Sequence, residues 1–566
     1  MHREDSRETK GRQWGRAAEV EALAATVEAQ EAGDSVRSIA AAIGVPRSTL
    51  RSWLARKESV DADPDVVGFF ESPAGLAWLH RLVLACIFVF GKIGPCGLPM
   101  ICAFLKLSGI SHFVAASVGS VQKVSVAMTE QIIGFGAAER SRLAAGMPKR
   151  RIAVVSDENF HEGVCLLAIE PASDFILLEA LHENREAATW DAAMKEALSD
   201  LPVTVVVGGS DEAPALKQHI STGLGAQHAP DLFHGQREIW RAMEPALAKS
   251  LKAPRKELAA AETTLSYWQG RHAKHLAGDR GPGRPPHFER HIAEAMAMEE
   301  TRRTAFEQAT GRQIEVHATI RGISEIYHPV DLETGTIREA AALDDALGKS
   351  FAVLDAAADA IHLADKQRAH LDKARRLRPT MVSHLAFFWN HVDRCLVDLE
   401  IDGAAATLAK EALIPGLYLR IAARRARLAG ARRRLSQLSD VFLAKAMGPA
   451  AALASLPKAQ LEDLQSVARE AVDLFVRATS CVEGRNGRLS LLHHGIHLLG
   501  TKRRQALTIL HNFAIHRLDG STPASRFFRQ PHRDLFAYLL DQLDLPARPR
   551  PSASRASALT RGWAEL

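Results

Sequence analysis

The chain has 566 residues, 47 % of them hydrophobic, with a formal net charge of +5 and six cysteines. That length calls for about three to four domains, the apolar share excludes a disordered chain, and the mild basic excess is compatible with nucleic acid without requiring it. Cys86, Cys96, Cys102, Cys165, Cys395 and Cys481 contain no C-x-x-C pair, which argues against a zinc site or disulfide framework and points to a reducing cytoplasm. The N-terminus is charged and lacks an apolar signal core. The most apolar run, 82–90, is about half a membrane span, so it should be a buried helix and no membrane location is expected.

Residues 1–60 read as a helical DNA-binding domain. Ile39, Ala40 and Ile43 share one face, Gly44 supplies a turn, and a second helix over 46–57 turns Leu50, Trp53 and Leu54 inward. This is a helix-turn-helix pattern, with Arg47, Ser48, Thr49 and Arg51 facing DNA at the start of the second helix; a plain helical hairpin is the alternative. An acidic linker at 61–65 follows. Residues 66–145 look all-helical, either a second DNA-binding or dimerisation module, with a second helix-turn-helix over 97–135, or a spacer.

The stretch 152–234 has a different rhythm. Three short apolar runs, a helix over 185–201, a β-branched strand at 203–207 and a final helix and strand predict a mixed sheet flanked by helices. Its first and fourth strands end on Asp157 and Asp211, at the edge where such sheets present their chemistry. Asp231-Leu-Phe-His234 closes the stretch.

Helical periodicity then dominates 236–478. Long helices at 236–273 and 288–307 read as a hairpin around the proline-rich loop 278–286, and Tyr327–Gly335 is a non-helical break. Arg420, Arg424 and Arg427 fall on one face if 420–434 is a single helix, a stripe suited either to phosphates or to an exposed, salt-bridged surface. Residues 479–540 open with Thr-Ser-Cys-Val-Glu483-Gly-Arg-Asn-Gly-Arg488, and 541–566 is a basic tail expected to be disordered. His493, His494 and His497 lack the glutamate of a zinc-protease motif. Leu347-Gly-Lys-Ser350 lacks the opening glycine of a phosphate loop.

On Asp157, Asp211, the Asp231-x-x-His234 motif and the Glu483-Gly-x-Asn segment, the chain resembles the DDE/D transposases of bacterial insertion sequences in a hAT-like arrangement. The resemblance implies an α/β RNase H-like catalytic domain (150–235, completed by 479–540) interrupted by an all-α insertion (236–478), with the N-terminal all-α domain ahead of it. It implies that Asp157, Asp211 and Glu483 hold two Mg²⁺ or Mn²⁺ ions, with His234 near the scissile phosphate and Arg488 near the DNA backbone. Glu400, Asp398 and Glu470 are rivals for the third acid. The activity implied is strand cleavage and transfer on double-stranded DNA carrying terminal inverted repeats, by a homo-oligomer. A non-catalytic DNA-binding regulator and a nuclease without joining activity are the alternatives.

Overall fold

Five strands form in the computed structural model: β1 Arg150–Asn159, β2 Val164–Glu170, β3 Phe175–His182, β4 Val203–Ser210 and β5 Gln227–Pro230, with β4 opening on a β-branched run that suits a pleated backbone packed on both sides. They make one sheet in the order β3-β2-β1-β4-β5. The first three are an antiparallel meander, while β1, β4 and β5 run parallel. The structure describes residues 14, 16–58, 63–160, 163–279, 281–449, 451–495 and 499–545. Part of the expected acidic linker, Arg280, His497 and the tail from 546 lie outside these residues.

Alternation along β1 gives the sheet two different faces. Ile152 and Val154 join Leu166, Ala168 and Phe175 in a large core. The helices Val118–Ala145, Ala187–Leu198 and Thr501–Ala514 cover that side. Phe175 stacks on Phe527 with ring centroids 4.5 Å apart. Ala153 and Val155 face the other way, into a smaller cluster closed by Leu474, Val476 and Val482. The covers therefore come from both ends of the chain, and residues 66–145 serve as a packed layer. Val121, Val124, Met128, Ile132 and Phe135 of the segment read as a second helix-turn-helix are buried in it.

The apolar helix Pro73–Cys86 continues into a π-helical turn, Ile87–Ile93. Together these 21 residues are long and apolar enough to cross a membrane, and 39 % of their apolar window is buried inside the molecule. Leu79, Val83, Leu84 and Ile87 join the core, whereas Val89 and Phe90 are exposed. Near the end of the turn, buried Lys92 donates from Nζ to the hydroxyls of Ser125 and Thr129, each 2.7 Å away.

A second large core fills the helical body between Leu232 and Phe475. From it two helices of 45 and 39 residues, Leu232–Leu276 and Phe288–Ile326, extend as a paired arm. Between Leu247 and Val316 no residue joins any of the cores among the described residues. The break after the arm is pinned by a bridge between Val330 and Ile337 and by buried Tyr327, whose hydroxyl lies 2.7 Å from His384 Nδ1.

The N-terminal helices Arg16–Glu31, Val36–Ala42 and Arg47–Glu58 enclose their own small core of Leu23, Ile39, Ala40, Val45, Leu50 and Trp53. Gly44 (φ 68°) ends the second helix in the left-handed region, and Val45 N–H reaches back to Ala40 C=O at 3.1 Å. That six-to-one bond is the closure that glycine permits without a Cβ penalty.

The expected fold class is not the one observed. Among the described residues 71 % are helical, and the β-structure is a single small mixed sheet of five strands. This is a helical protein built round a small sheet, not an α/β domain of the RNase H-like class with a helical insertion. The misreading has a physical source: the helical segments are visible in sequence, but local pattern does not show that those of 66–145 and 501–514 pack onto the sheet as part of one helical body.

Candidate active site

Parallel pairing of β1 with β4 brings two acids together. The last matched pair is Val155 with Gly209, and two residues further along each strand stand Asp157 and Asp211. Burial first, and the negative charges of Asp211 and Glu158 after it, push the Asp157 carboxyl up to about 6. Asp157 is also fixed from above: Asn486 donates from Nδ2 to its Oδ2 at 2.8 Å, and Asn159 in turn donates to Asn486 Oδ1 at 3.0 Å. Asp211 spends Oδ1 on Ala213 N–H at 2.9 Å, a local turn bond. Glu158 is committed elsewhere, accepting from Trp190 Nε1 and Arg185.

Asn486 is held by the helix Ser480–Gly495, and the anchor of that helix is an ion pair. Arg485 is buried and donates two bonds of 2.7 Å to Glu179 of β3, a bidentate fork with both side chains almost fully enclosed. Thr508 adds a third bond to Glu179. A charged pair thus ties the helix to the far side of the sheet and sets the height of Asn486 over Asp157.

Around Asp211 lies a cleft of about 220 Å³ lined by Glu212, Asp231, His234, Glu238 and Lys373 among others. Asp231 is buried and caps the arm's first helix through Phe233 N–H at 2.9 Å; its other oxygen accepts from Thr479 Oγ1 at 2.7 Å. His234 Nδ1 sits 3.6 Å from that oxygen. Asp231, opposed by partial burial and helped by Asp211, keeps the imidazole pKa above its ordinary value. Glu483 occupies the first turn of the helix Ser480–Gly495 and is exposed. Partial burial and then Asp231 raise its carboxyl pKa, against the pull of His234 and Arg237.

The acids named from sequence therefore fall into two sets. Asp157 and Asp211 form one; Glu483, Asp231 and His234 form the next, joined to the first through His234 and Asp211. Among the described residues no group of three His, Cys, Asp or Glu surrounds a single point as a metal cage would. The Asp157–Asp211 pair fits a divalent cation on chemical grounds, offering hard oxygens whose mutual repulsion a cation would relieve. Of the rival acids, Asp398 pairs with Arg151 and Glu470 with Arg529, while Glu400 sits in a turn at positive φ (53°).

The basic residues also find their places. Arg47, Ser48 and Arg51 are exposed on the helix Arg47–Glu58, with Thr49 half-buried. The arginine stripe is corrected: the helix Ile414–Arg425 ends before Arg427, and the next begins at Ala429. Arg427 is in the turn, Arg424 is exposed, and Arg420 pairs with Asp440 at 2.6 Å. Arg488 is half-buried one turn past Arg485; burial and then that neighbour lower its pKa. Lys349 lies inside the helix Ala340–Ala360 and pairs with Asp345, which disposes of the phosphate-loop likeness.

Asn486 was read only as part of the Glu483-Gly-x-Asn segment and given no role, and Asn159 and the Glu179–Arg485 fork were not singled out from sequence. A signal for the first two was present: Asn159 is two residues from Asp157 on one strand face, and Asn486 is one helical turn from Glu483.

A family model described as a family of unknown function (DUF6399) matches residues 409–555, a segment that includes Glu483, Asn486 and the C-terminal helices that cover the sheet. No curated protein and no solved structure matches the chain.

Proposed function

We propose that this chain is a transposase-like enzyme that binds double-stranded DNA and carries out divalent-cation-dependent strand cleavage and transfer. The observation that supports this most directly is the β1–β4 register, which sets Asp157 beside Asp211 under Asn486. In this reading the two carboxylates hold Mg²⁺ or Mn²⁺, and Glu483 completes the set when DNA is engaged. The cation, when bound, neutralises charge at the scissile phosphate. Asn486 keeps Asp157 in one rotamer, so the ligand is pre-oriented. His234, whose imidazole pKa is raised first by its hydrogen bond with Asp231, donates a hydrogen bond to a phosphate oxygen. Arg47, Ser48 and Arg51 supply DNA contacts from the N-terminal domain.

A purified-protein assay with Mg²⁺ or Mn²⁺ and DNA carrying the element's ends tests the reading. Cleavage and joining should fall at least about 100-fold in Asp157→Ala, Asp211→Ala and Glu483→Ala, since each removes a group acting at the phosphate. Activity surviving in Asp157→Ala or Asp211→Ala would refute it. A second reading, a DNA-binding regulator without catalysis, is favoured by one observation, the exposure of Glu483 on the His234 side of the cleft. Specific DNA binding with no cleavage by the wild type decides for that alternative.

A further inference from the structure

The arm leaves the body beside the candidate site, since Asp231 caps its first helix and His234 lies in that helix's first turn. From His234 to Leu276 the helix reaches at most about 60 Å at 1.5 Å per residue, with Pro245 and Pro254 inside it as points of bending. This span equals about 18 base pairs of duplex DNA at 3.4 Å each. Leu258, Ala261, Phe288, Ala295 and Ala309 are buried along its outer part but join none of the large cores, so the outer arm packs on itself and not on the body.

Charge is handled differently along the shaft and at the tip. On the shaft, cations are matched across the two helices: Arg302 with Glu257 at 2.7 Å, and Arg303 with Glu262 at 3.1 Å. Beyond Trp268 that matching stops. Arg271, Lys274 and Arg284 are exposed and form no ion pair among the described residues. Between Glu262 and Glu294 the sequence holds two acids, Asp279 and Glu289, against Arg271, Lys274, Arg280, Arg284, Arg290 and four histidines, and of these cations Arg290 pairs with Glu294 at 2.8 Å.

Rings brace this basic end. Trp268 stacks on His291 with centroids 4.3 Å apart, and His272 stacks on Phe288 at 5.2 Å. Tyr267 is 54 % exposed, and the Arg271 guanidinium stands 5.8 Å from the centres of both the Tyr267 and Trp268 rings. Exposed cations, one of them held beside aromatic rings, with few acids to oppose them, are the surface expected for a polyanion.

We propose that the tip of this arm is a second DNA contact, which grips the phosphate backbone of duplex extending away from the candidate site. This rests on the reading of the chain as a DNA-acting protein, but not on its catalysis. The contact is to phosphates, so it needs no particular base sequence.

The test uses the full chain and a random-sequence duplex of about 40 base pairs, longer than the arm's reach. Binding is measured across a salt series for the wild type, for Arg271→Glu/Lys274→Glu/Arg284→Glu, and for the same three positions changed to Gln. A fourth protein, Arg47→Glu/Arg51→Glu, reports on the N-terminal domain. The tip reversal should weaken binding at least tenfold and flatten the salt dependence by about three phosphates' worth of released counterions, with the Gln variant in between. Circular dichroism should show all four proteins folded, because the changed side chains are exposed.

Unchanged affinity in both tip variants, with binding lost in the N-terminal variant, would leave the DNA reading standing and overturn the arm contact. A wild type that binds no duplex would overturn both. Tip variants that alter the protein's mass in sedimentation but not its DNA affinity would assign the tip to a second copy of the chain, against this proposal.

Discussion

At the residue scale, two buried charges have measurable consequences. Burial, and then the neighbouring charge of Arg503, pushes the Lys92 ammonium pKa down to about 7, while the unfolded chain keeps an ordinary lysine. Between those two values the unfolded state binds more protons, so this group makes stability rise with pH from about 7 to about 10. Lys92→Met should remove that rise and add roughly 2–3 kcal/mol at pH 7.5, visible as a higher urea midpoint; an unchanged pH profile would contradict it. The Arg485–Glu179 fork behaves in the opposite sense. Arg485→Ala strands a buried carboxylate and should cost about 3–5 kcal/mol, whereas Arg485→Leu with Glu179→Leu should recover most of that loss. If both proteins are equally destabilised, the cost lies in packing and not in the unpaired charge. Asp157 and Asp211 were legible in the sequence as acids after apolar runs, although β1 continues past Asp157 to Asn159 and only Asp211 follows the end of its strand. The fork was not legible, because its partners are 306 positions apart and nothing local to either residue calls for the other.

At the element scale, the strands and the arm announced themselves through period and length, and the helix contacts did not. Gly136, in the helix Val118–Ala145, shows why. A Cβ there would stand 2.5 Å from Ile509 Cγ1 in the helix Thr501–Ala514, so the crossing of these two cover helices depends on its absence. Gly136→Ala should cost about 1–3 kcal/mol through overpacking, and Gly136→Ala with Ile509→Ala should cost less than the sum of the two single changes. Thermal unfolding reads both, and simple additivity of the two changes would count against a contact at this position. The arginine stripe failed for a related reason. Ala426, Leu428 and Ala429 are all adequate helix formers, so composition gave no sign that the helix stops at Arg425. The fold class was misjudged at this scale too: the five strands are real, but helices recruited from both ends of the chain determine what kind of protein they belong to.

At the scale of the whole molecule, the separation of arm from body makes a further prediction. Replacing residues 250–306 by a short flexible linker should leave the melting temperature of the body within about 2 °C, a shift worth about 2 kcal/mol at this size. A large loss in calorimetry would mean that the arm supports the body after all. The sheet makes the opposite case, since it cannot be divided from the end of the chain. Phe175 is made early and Phe527, which stacks on it, late. At 5–20 residues per second about 350 residues separate them, so the ribosome leaves the inner face of β1–β3 without its final cover for roughly 20–70 s. Throughout that interval the nascent chain displays a large apolar surface to the cell. Each molecule therefore passes through its own synthesis with this face only partly covered, and a message cut short before codon 501 yields a chain without the last of its cover.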